Sequence, residues 1–336
     1  MLKNKQFLRK IILCLVFVFS ISIALNNVEI SAKTIVTNSY DSKNRVIEQK
    51  YVDNKNTSST KDDKVLYTYK FYYNSNNTIK YATKVKGNKV VSQYYYKKGT
   101  KFGSHSKRIS YYFDFYYNKN NTLKLAKKIQ KGLVLNEYYY KSGTRYGNHS
   151  KRISYQLNFY YYKNKSIKYV KKIINKKTVA IYYYSSKTKY SNHSKRLAYI
   201  NYYNSKGKLT KTVYKTKAAK QAALVNYAKK LKGSKYRSGG TSPKGFDCSG
   251  LTSYVYKKVL NKNIGRATYN QTKKGSYVSL KKLQPGDLVF WGAKKSPYHV
   301  GIYLGNGKYI HAEDYGKGVN IKTFNYFKPS YAKRMI

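Results

Sequence analysis

The chain has 2 cysteines in 336 residues. One, Cys14, lies in an apolar N-terminal run. A chain trimmed after that run keeps only Cys248, so it has no internal disulfide. Acidic side chains are also scarce: 12 Asp+Glu stand against 69 Lys+Arg, a formal net charge of +57. That exceeds what solubility needs; such a field attracts polyanions and loses its grip as salt rises. The charge alone does not choose between nucleic acid and an extracellular wall polymer carrying phosphates and carboxylates. A Lys-rich surface that merely stays solvated is the plain alternative. Beyond the N-terminus there is no apolar stretch of the ~20 residues that span a bilayer.

The N-terminus reads as an export signal. Lys3, Lys5, Arg9 and Lys10 precede an apolar run from Ile11 to Leu25, and Ser31-Ala32 offers a cleavage point. The run is short for an uncleaved anchor, and Cys14 lacks the small preceding residue of a lipoprotein signal. The expectation is a signal peptide over 1–32 and a mature chain that is secreted, wall-associated and without a stable transmembrane anchor. An unpaired thiol in an exported chain points to a reactive residue or to an intermolecular bridge.

What is abundant is repetition. His105, His149 and His193 each open His-Ser-Lys-Arg, 44 residues apart, and Tyr94-Tyr95-Tyr96 recurs at Tyr138 and Tyr182 with the same interval. A degenerate copy precedes them, with Lys61 to Lys64 at the His-Ser-Lys-Arg position. Equal periods signal an array of like units. Runs of Tyr, Ile, Val and Phe bounded by Gly and Asn read as strands, so residues 33–214 form an all-β repeat array. From Ile109 to Tyr117 aromatics fall on both alternating sets, as in a strand covered with rings on both faces. The tyrosines could stack on sugar faces, with lysines pairing anionic groups. Equally, they could be the cross-strand ladder of a thin sheet. The repeat histidines lack metal-ligand spacing and fit one turn position.

Past residue 215 the composition turns to Ala, Leu, Val and Gly. Ala218 to Lys232 reads as an amphipathic helix stopped by Gly233. In Gly245-Phe246-Asp247-Cys248-Ser249-Gly250, Asp247 is a good N-cap for a helix to about Leu260. A thiol in the first helical turn sees the positive end of the backbone dipoles, which favours the thiolate. Gly250 permits close backbone packing. Strands follow over 287–291, 299–304 and 308–313. A three-residue loop, Gly305-Asn306-Gly307, would pair Leu304 with Lys308 and set His299 and His311 as diagonal neighbours on one face; a two-residue loop would put them on opposite faces. The expectation is the odd loop, with His299 as base and His311 as its orienter.

Four ordered blocks, Gly-Phe-Asp-Cys-Ser-Gly-Leu, Leu-Gln-Pro-Gly-Asp-Leu-Val-Phe-Trp, His-Val-Gly-Ile-Tyr-Leu-Gly and Tyr-Ile-His-Ala, resemble the NlpC/P60 family of cell-wall cysteine peptidases over residues 215–336. The resemblance implies a papain-like α+β domain: an antiparallel sheet packed on helices, with the nucleophile at a helix N-terminus. It implies hydrolysis of peptidoglycan stem peptides between D-γ-glutamate and a diamino acid. By the same resemblance Cys248 is the nucleophile, His299 the base and His311 the third polar member. Tyr236, Asp247 and Ser249 hold substrate, and Arg266 and Gln271 match an Arg…Gln stretch. Ser238-Gly239-Gly240 and Gly265-Arg266-Ala267-Thr268 depart from the family pattern on the substrate side. The chemistry requires no metal and no cofactor. The basic repeats would retain the enzyme on anionic wall polymers. Two readings stand beside this one. In one, an adhesive repeat protein carries an inactive peptidase-like domain. In the other, the protein binds nucleic acid through charge, and against that weigh export and the lack of a nucleic-acid motif.

Overall fold

The computed structural model describes residues 34–53 and 64–336. The expected signal peptide, 1–32, and positions 61–63 of the degenerate repeat copy lie outside the described residues. The chain divides into two compact units, residues 1–68 and 69–336. In the first, β1 (Thr34–Tyr40) and β2 (Val46–Asp53) form an antiparallel hairpin that pairs Thr34 with Asp53. Its turn is fixed by Asp41, whose carboxylate accepts the Lys43 and Arg45 amides and pairs with the Arg45 guanidinium at 2.6 Å.

β3 (Lys64–Tyr73) contains the divide between the units. The second unit continues as a meander of β4 (Ile79–Lys86), β5 (Lys89–Tyr96), β6 (Ile109–Tyr117), β7 (Leu123–Gln130), β8 (Leu133–Tyr140), β9 (Ile153–Tyr161), β10 (Ile167–Ile174), β11 (Lys177–Tyr184), β12 (Leu197–Tyr203) and β13 (Leu209–Tyr214). From β5 onward each strand pairs antiparallel with its predecessor. The 44-residue repeat is three strands plus a short 3-10 turn, at Phe102–Arg108, Tyr146–Lys151 or Tyr190–Lys195. These turns explain His-Ser-Lys-Arg. The histidine Nδ1 bonds a carbonyl three residues back, that of Phe102, Tyr146 or Tyr190. The arginine reaches across the corner: Arg152 donates to Thr144 Oγ1 and to the Ser142 carbonyl, as Arg108 and Arg196 do at their equivalents. The repeat histidines are corner residues.

Three strands per repeat has a geometric result. Phe113, Lys128, Asn136 and Asn158 are successive cross-strand partners and share one face. Asp114, Lys127, Glu137 and Leu157 share the other. Yet Phe113 and Leu157 are equivalent positions, 44 residues apart. Successive repeats therefore exchange faces, because an odd strand count reverses strand direction while the meander advances the same way. The corner turns follow: Tyr146 OH bonds Gln93 on the first face, and Tyr190 OH bonds Glu137 on the second. Aromatics on both alternating sets are the signature of this symmetry. The tyrosines are a cross-strand ladder, stacked at 4.8 Å for Tyr95–Tyr111, 4.4 Å for Tyr139–Tyr155 and 4.5 Å for Tyr183–Tyr199. These ring faces are turned to each other.

The remainder is α+β. α1 (Lys217–Lys230) is N-capped by Thr216, and α2 (Cys248–Leu260) by Asp247, which accepts the Gly250 amide at 2.6 Å. Between them run β14 (Thr241–Ser242) and β15 (Gly245–Phe246), and α3 (Thr268–Thr272) follows α2. An antiparallel sheet holds β16 (Ser276–Val278), β17 (Leu288–Ala293), β18 (Ser296–Gly305), β19 (Lys308–Ala312), β20 (Val319–Thr323) and β21 (Tyr331–Arg334), in the order β16-β21-β17-β18-β19-β20. Leu224 of α1 and Leu251, Val255 and Tyr256 of α2 are buried against Phe290, Val300, Ile302 and Ile310 of the sheet. Asp287, 1% exposed, is neutralised by both nitrogens of an Arg334 fork, at 2.8 and 2.7 Å. A Cβ on Gly250 would lie 1.9 Å from the Gly240 carbonyl oxygen, so the loop before Cys248 rests directly on α2 backbone. Gly250→Ala is therefore expected to destabilise this domain by about 3 kcal/mol or more, read from urea unfolding followed by Trp291 fluorescence.

Candidate active site

Cys248 opens α2, with its thiol partly buried. The Val300 and Ser249 backbone amides point to the sulfur, and Thr268 Oγ1 lies 3.9 Å away. Burial pushes the thiol up, and these donors offset it only in part. The helix-dipole expectation of an acidic thiol is thus overturned: desolvation outweighs the helix start. Thr268 and the Val300 amide were not foreseen. Thr268 belongs to a stretch noted only for its departure from the family pattern, and a backbone amide has no sequence signature.

β18 carries His299 and β19 carries His311, on the sheet face that holds Trp291 and Tyr309 and opposite to Val300 and Ile302. His299 Nε2 and His311 Nδ1 are 2.7 Å apart, with the rings edge to face. The hairpin reaches this by another route than the expected loop. Gly305 pairs with Lys308, so the turn is the two residues Asn306-Gly307, both left-handed at φ 51° and 68°. An extra residue, Leu304, bulges out between the Tyr303 and Gly305 pairs. Two turn residues plus one bulge give the parity of three, and beyond the bulge Tyr303 faces Tyr309 and Ile302 faces Ile310. Gly301 makes room for the second imidazole: its Cβ would stand 3.4 Å from that of His311.

His311 is buried and His299 partly buried, and both are shifted to about 4; for His299 desolvation leads, followed by the charge of His311, and for His311 desolvation outweighs the nearby Glu313. Glu313 Oε2 lies 3.8 Å from His311 Nε2. Asn320 and Lys317 help hold the Glu313 carboxyl below its usual range against the effect of burial. At neutral pH the centre is a thiol beside two neutral imidazoles. Among the described residues the thiol makes no hydrogen bond to His299; it interacts with the amide of the adjacent Val300.

Asp247 and Ser249 flank the thiol on α2. Burial disfavours the charge of Asp247, but Arg266 and the Gly250 amide hold its carboxyl below the usual range. Arg266 grips both Asp247 oxygens, at 3.0 and 2.6 Å, and Ser249 Oγ at 3.0 Å. Gln271, fully buried, donates to the Ser249 and Gly265 carbonyls and accepts from Thr252, fixing α2 from below. The Arg…Gln stretch is thus a clamp on the start of α2. Tyr236 stands edge-on to Tyr315 at 4.9 Å. Its hydroxyl is pushed up by burial and by the facing Cys248 and Asp247.

A family model described as the NlpC/P60 family matches residues 233–335. Protein P54 of Enterococcus faecium is 43% identical over 114 residues, covering 34% of this chain and 22% of that protein. Murein DD-endopeptidase MepS/Murein LD-carboxypeptidase of Escherichia coli K12 is 39% identical over 109 residues, covering 31% of this chain and 57% of that protein. The chain spans less than two thirds of either relative. The crystal structure of the NlpC/p60 domain of peptidoglycan hydrolase SagA is 43% identical, covers 34% of this chain and 98% of that one, and has a TM-score of 0.34.

Three outcomes follow. Deleting Leu304 takes out only the unpaired residue and leaves Tyr303 opposite Tyr309, so His299 and His311 keep one face. Hydrolysis of solubilised wall fragments by that variant is expected to stay within about 10-fold of wild type, whereas His311→Ala, which removes the hydrogen-bond partner of His299, is expected to cost at least about 100-fold. The neutral imidazole persists to low pH, so the acid limb of kcat/KM is expected near pH 4 instead of 6.5. Stability carries the same sign. Unfolded imidazoles take protons near 6.5 while the buried pair resists to about 4, so the thermal midpoint falls as pH drops through that window.

Proposed function

Residues 233–335 belong to the NlpC/P60 family, and we propose that the protein is a secreted peptidoglycan hydrolase that cuts stem peptides between D-γ-glutamate and a diamino acid. The observation that carries this reading is the His299–His311 hydrogen bond beside a lone thiol at a helix start. In this reading the arrangement is papain-like. Residues 33–214 retain the enzyme on anionic wall polymers, and residues 215–336 cut.

The tautomers follow from the geometry. For His299 to act as base, Nδ1 keeps its lone pair toward the thiol and Nε2 carries the hydrogen donated to His311 Nδ1. The His311 hydrogen then sits on Nε2, facing Glu313 Oε2 at 3.8 Å. His299 takes the Cys248 proton as the sulfur attacks the scissile carbonyl carbon. The imidazolium so formed is stabilised through His311 toward the Glu313 carboxylate. Backbone amides at the start of α2 receive the oxyanion. As the C–N bond breaks, His299 returns the proton to the leaving amine, and a thioester remains on Cys248. Water then gives up a proton to the same imidazole, attacks the thioester and frees the acid and the thiol. Tyr236, Asp247 and Ser249 line the substrate side, where Asp247 and Ser249 hold the free amino end of the stem. Arg266 already occupies the Asp247 carboxylate, so an incoming ammonium shares it.

Cys248→Ala is expected to abolish release of stem fragments from purified peptidoglycan while binding to intact walls is unchanged. Mass spectrometry of the wild-type digest identifies the bond. Undiminished hydrolysis by the variant would overturn the thiol mechanism. Wall binding with no wild-type hydrolysis would instead support an adhesive repeat protein with a silent peptidase-like domain.

A further inference from the structure

Because successive repeats exchange faces, the two sides of the array carry the same lysine and tyrosine positions, although Asp114 and Glu137 both stand on one side. Lys128 and Lys171 stand on the face of Phe113, whereas Lys84, Lys127 and Lys172 stand on the face of Asp114. Lys84, Lys128 and Lys172 are one repeat position, 44 residues apart, and they alternate sides. Their ammonium groups are placed alike on both. Lys128 lies 4.2 Å from the Tyr111 ring centre on one face, and Lys172 lies 4.2 Å from that of Tyr155 on the other. Lys171 over Tyr160, at 5.3 Å, and Lys127 over Tyr116, at 4.9 Å, repeat the arrangement on opposite sides. An ammonium over a ring keeps N–H donors for a further acceptor. In the stacked ladders the ring planes are occupied by neighbouring rings, so a flat sugar finds little open ring face there. What each face offers is rows of fixed cations and phenol edges, which complement a chain of phosphodiesters.

We propose that the array is bivalent: each face docks one chain of a phosphodiester wall polymer, and one molecule bridges two chains. This rests on the reading of the repeats as a wall anchor and deepens it, since a one-faced anchor would hold the enzyme equally well. Lys and Arg far outnumber Asp and Glu within residues 33–214, which supplies the complementarity for two such ligands. Positions on one face recur every second repeat, six strands on, roughly 29 Å along the sheet. Lys84 and Lys172 on the Asp114 face are such a pair, and Lys128 is their counterpart on the other face.

The test is a sandwich assay on the full chain. Beads coated with poly(glycerol phosphate) are loaded with protein, washed and offered the same polymer carrying a fluorophore. Wild-type protein is expected to recruit the labelled chain. Lys128→Glu/Lys171→Glu and Lys127→Glu/Lys172→Glu each reverse two cations of one face. Both are expected to load the beads within about 3-fold of wild type but to recruit at least about 5-fold less labelled polymer. Lys127→Glu/Lys171→Glu has the same net charge but takes one cation from each face, and it should recruit clearly more than either single-face pair. Far-UV circular dichroism checks that each variant keeps the sheet. Equal loss in all three pairs, or no loss in the single-face pairs, overturns two-faced docking. Wild-type loading without recruitment overturns bridging and leaves the wall anchor standing. No loading overturns the anchor and this inference with it.

Discussion

The hydrogen bond between His299 and His311 exists because one residue, Leu304, has no partner in the hairpin that joins their strands. Side chains alternate along a strand, so a register shift of one residue moves a whole set of side chains to the other face. With Leu304 kept and paired, a tight two-residue turn would leave the imidazoles on opposite sides of the sheet. The same rule governs the array, where it acts on strands instead of residues. Three strands per repeat turn each copy over. Whether a count is odd or even thus decides what meets at the active site and what each face of the array presents.

Electrostatics sets the working state of the site. The thiol and both imidazoles are held uncharged by burial within a chain that is otherwise densely cationic. In the proposed mechanism charge appears when a proton moves from sulfur to nitrogen, and Glu313, 3.8 Å from His311, is there to meet it. This carboxylate also binds Lys317 and Lys322 at 3.3 and 3.7 Å. The far end of the proton chain is therefore tied to the surface of the domain. The clamp of Arg266 and Gln271 serves the other partner by fixing the start of α2, so the thiol is positioned from one side and the imidazoles from the other.

Much of this was legible in the sequence, for identifiable reasons. Asp247 before Cys248 announces a helix start because capping is a local interaction. The 44-residue spacing announces the array because identical units need identical spacing. The shared face of the histidines was legible too, although the route was not: a loop of three and a turn of two with a bulge give the same alternation, and only backbone geometry separates them. The acidity of the thiol could not be read, because the dipole is a property of the helix while burial is a property of everything packed around it. The exchange of faces was present in the sequence as rings on both sides of Ile109 to Tyr117. Its meaning needed the number of strands per repeat, which the short turn near His-Ser-Lys-Arg makes hard to count.

An array without an inner and an outer side carries a rule for how such chains can change length. Adding or losing one 44-residue copy leaves every neighbour-to-neighbour contact intact, since each copy meets only the one before and the one after. It does not leave the geometry unchanged. Whatever is attached at the end of β13 is turned over by half a rotation, and a second copy turns it back. Family members of differing repeat number should therefore fall into two classes, even and odd, that aim the cutting domain at opposite sides of the same sheet.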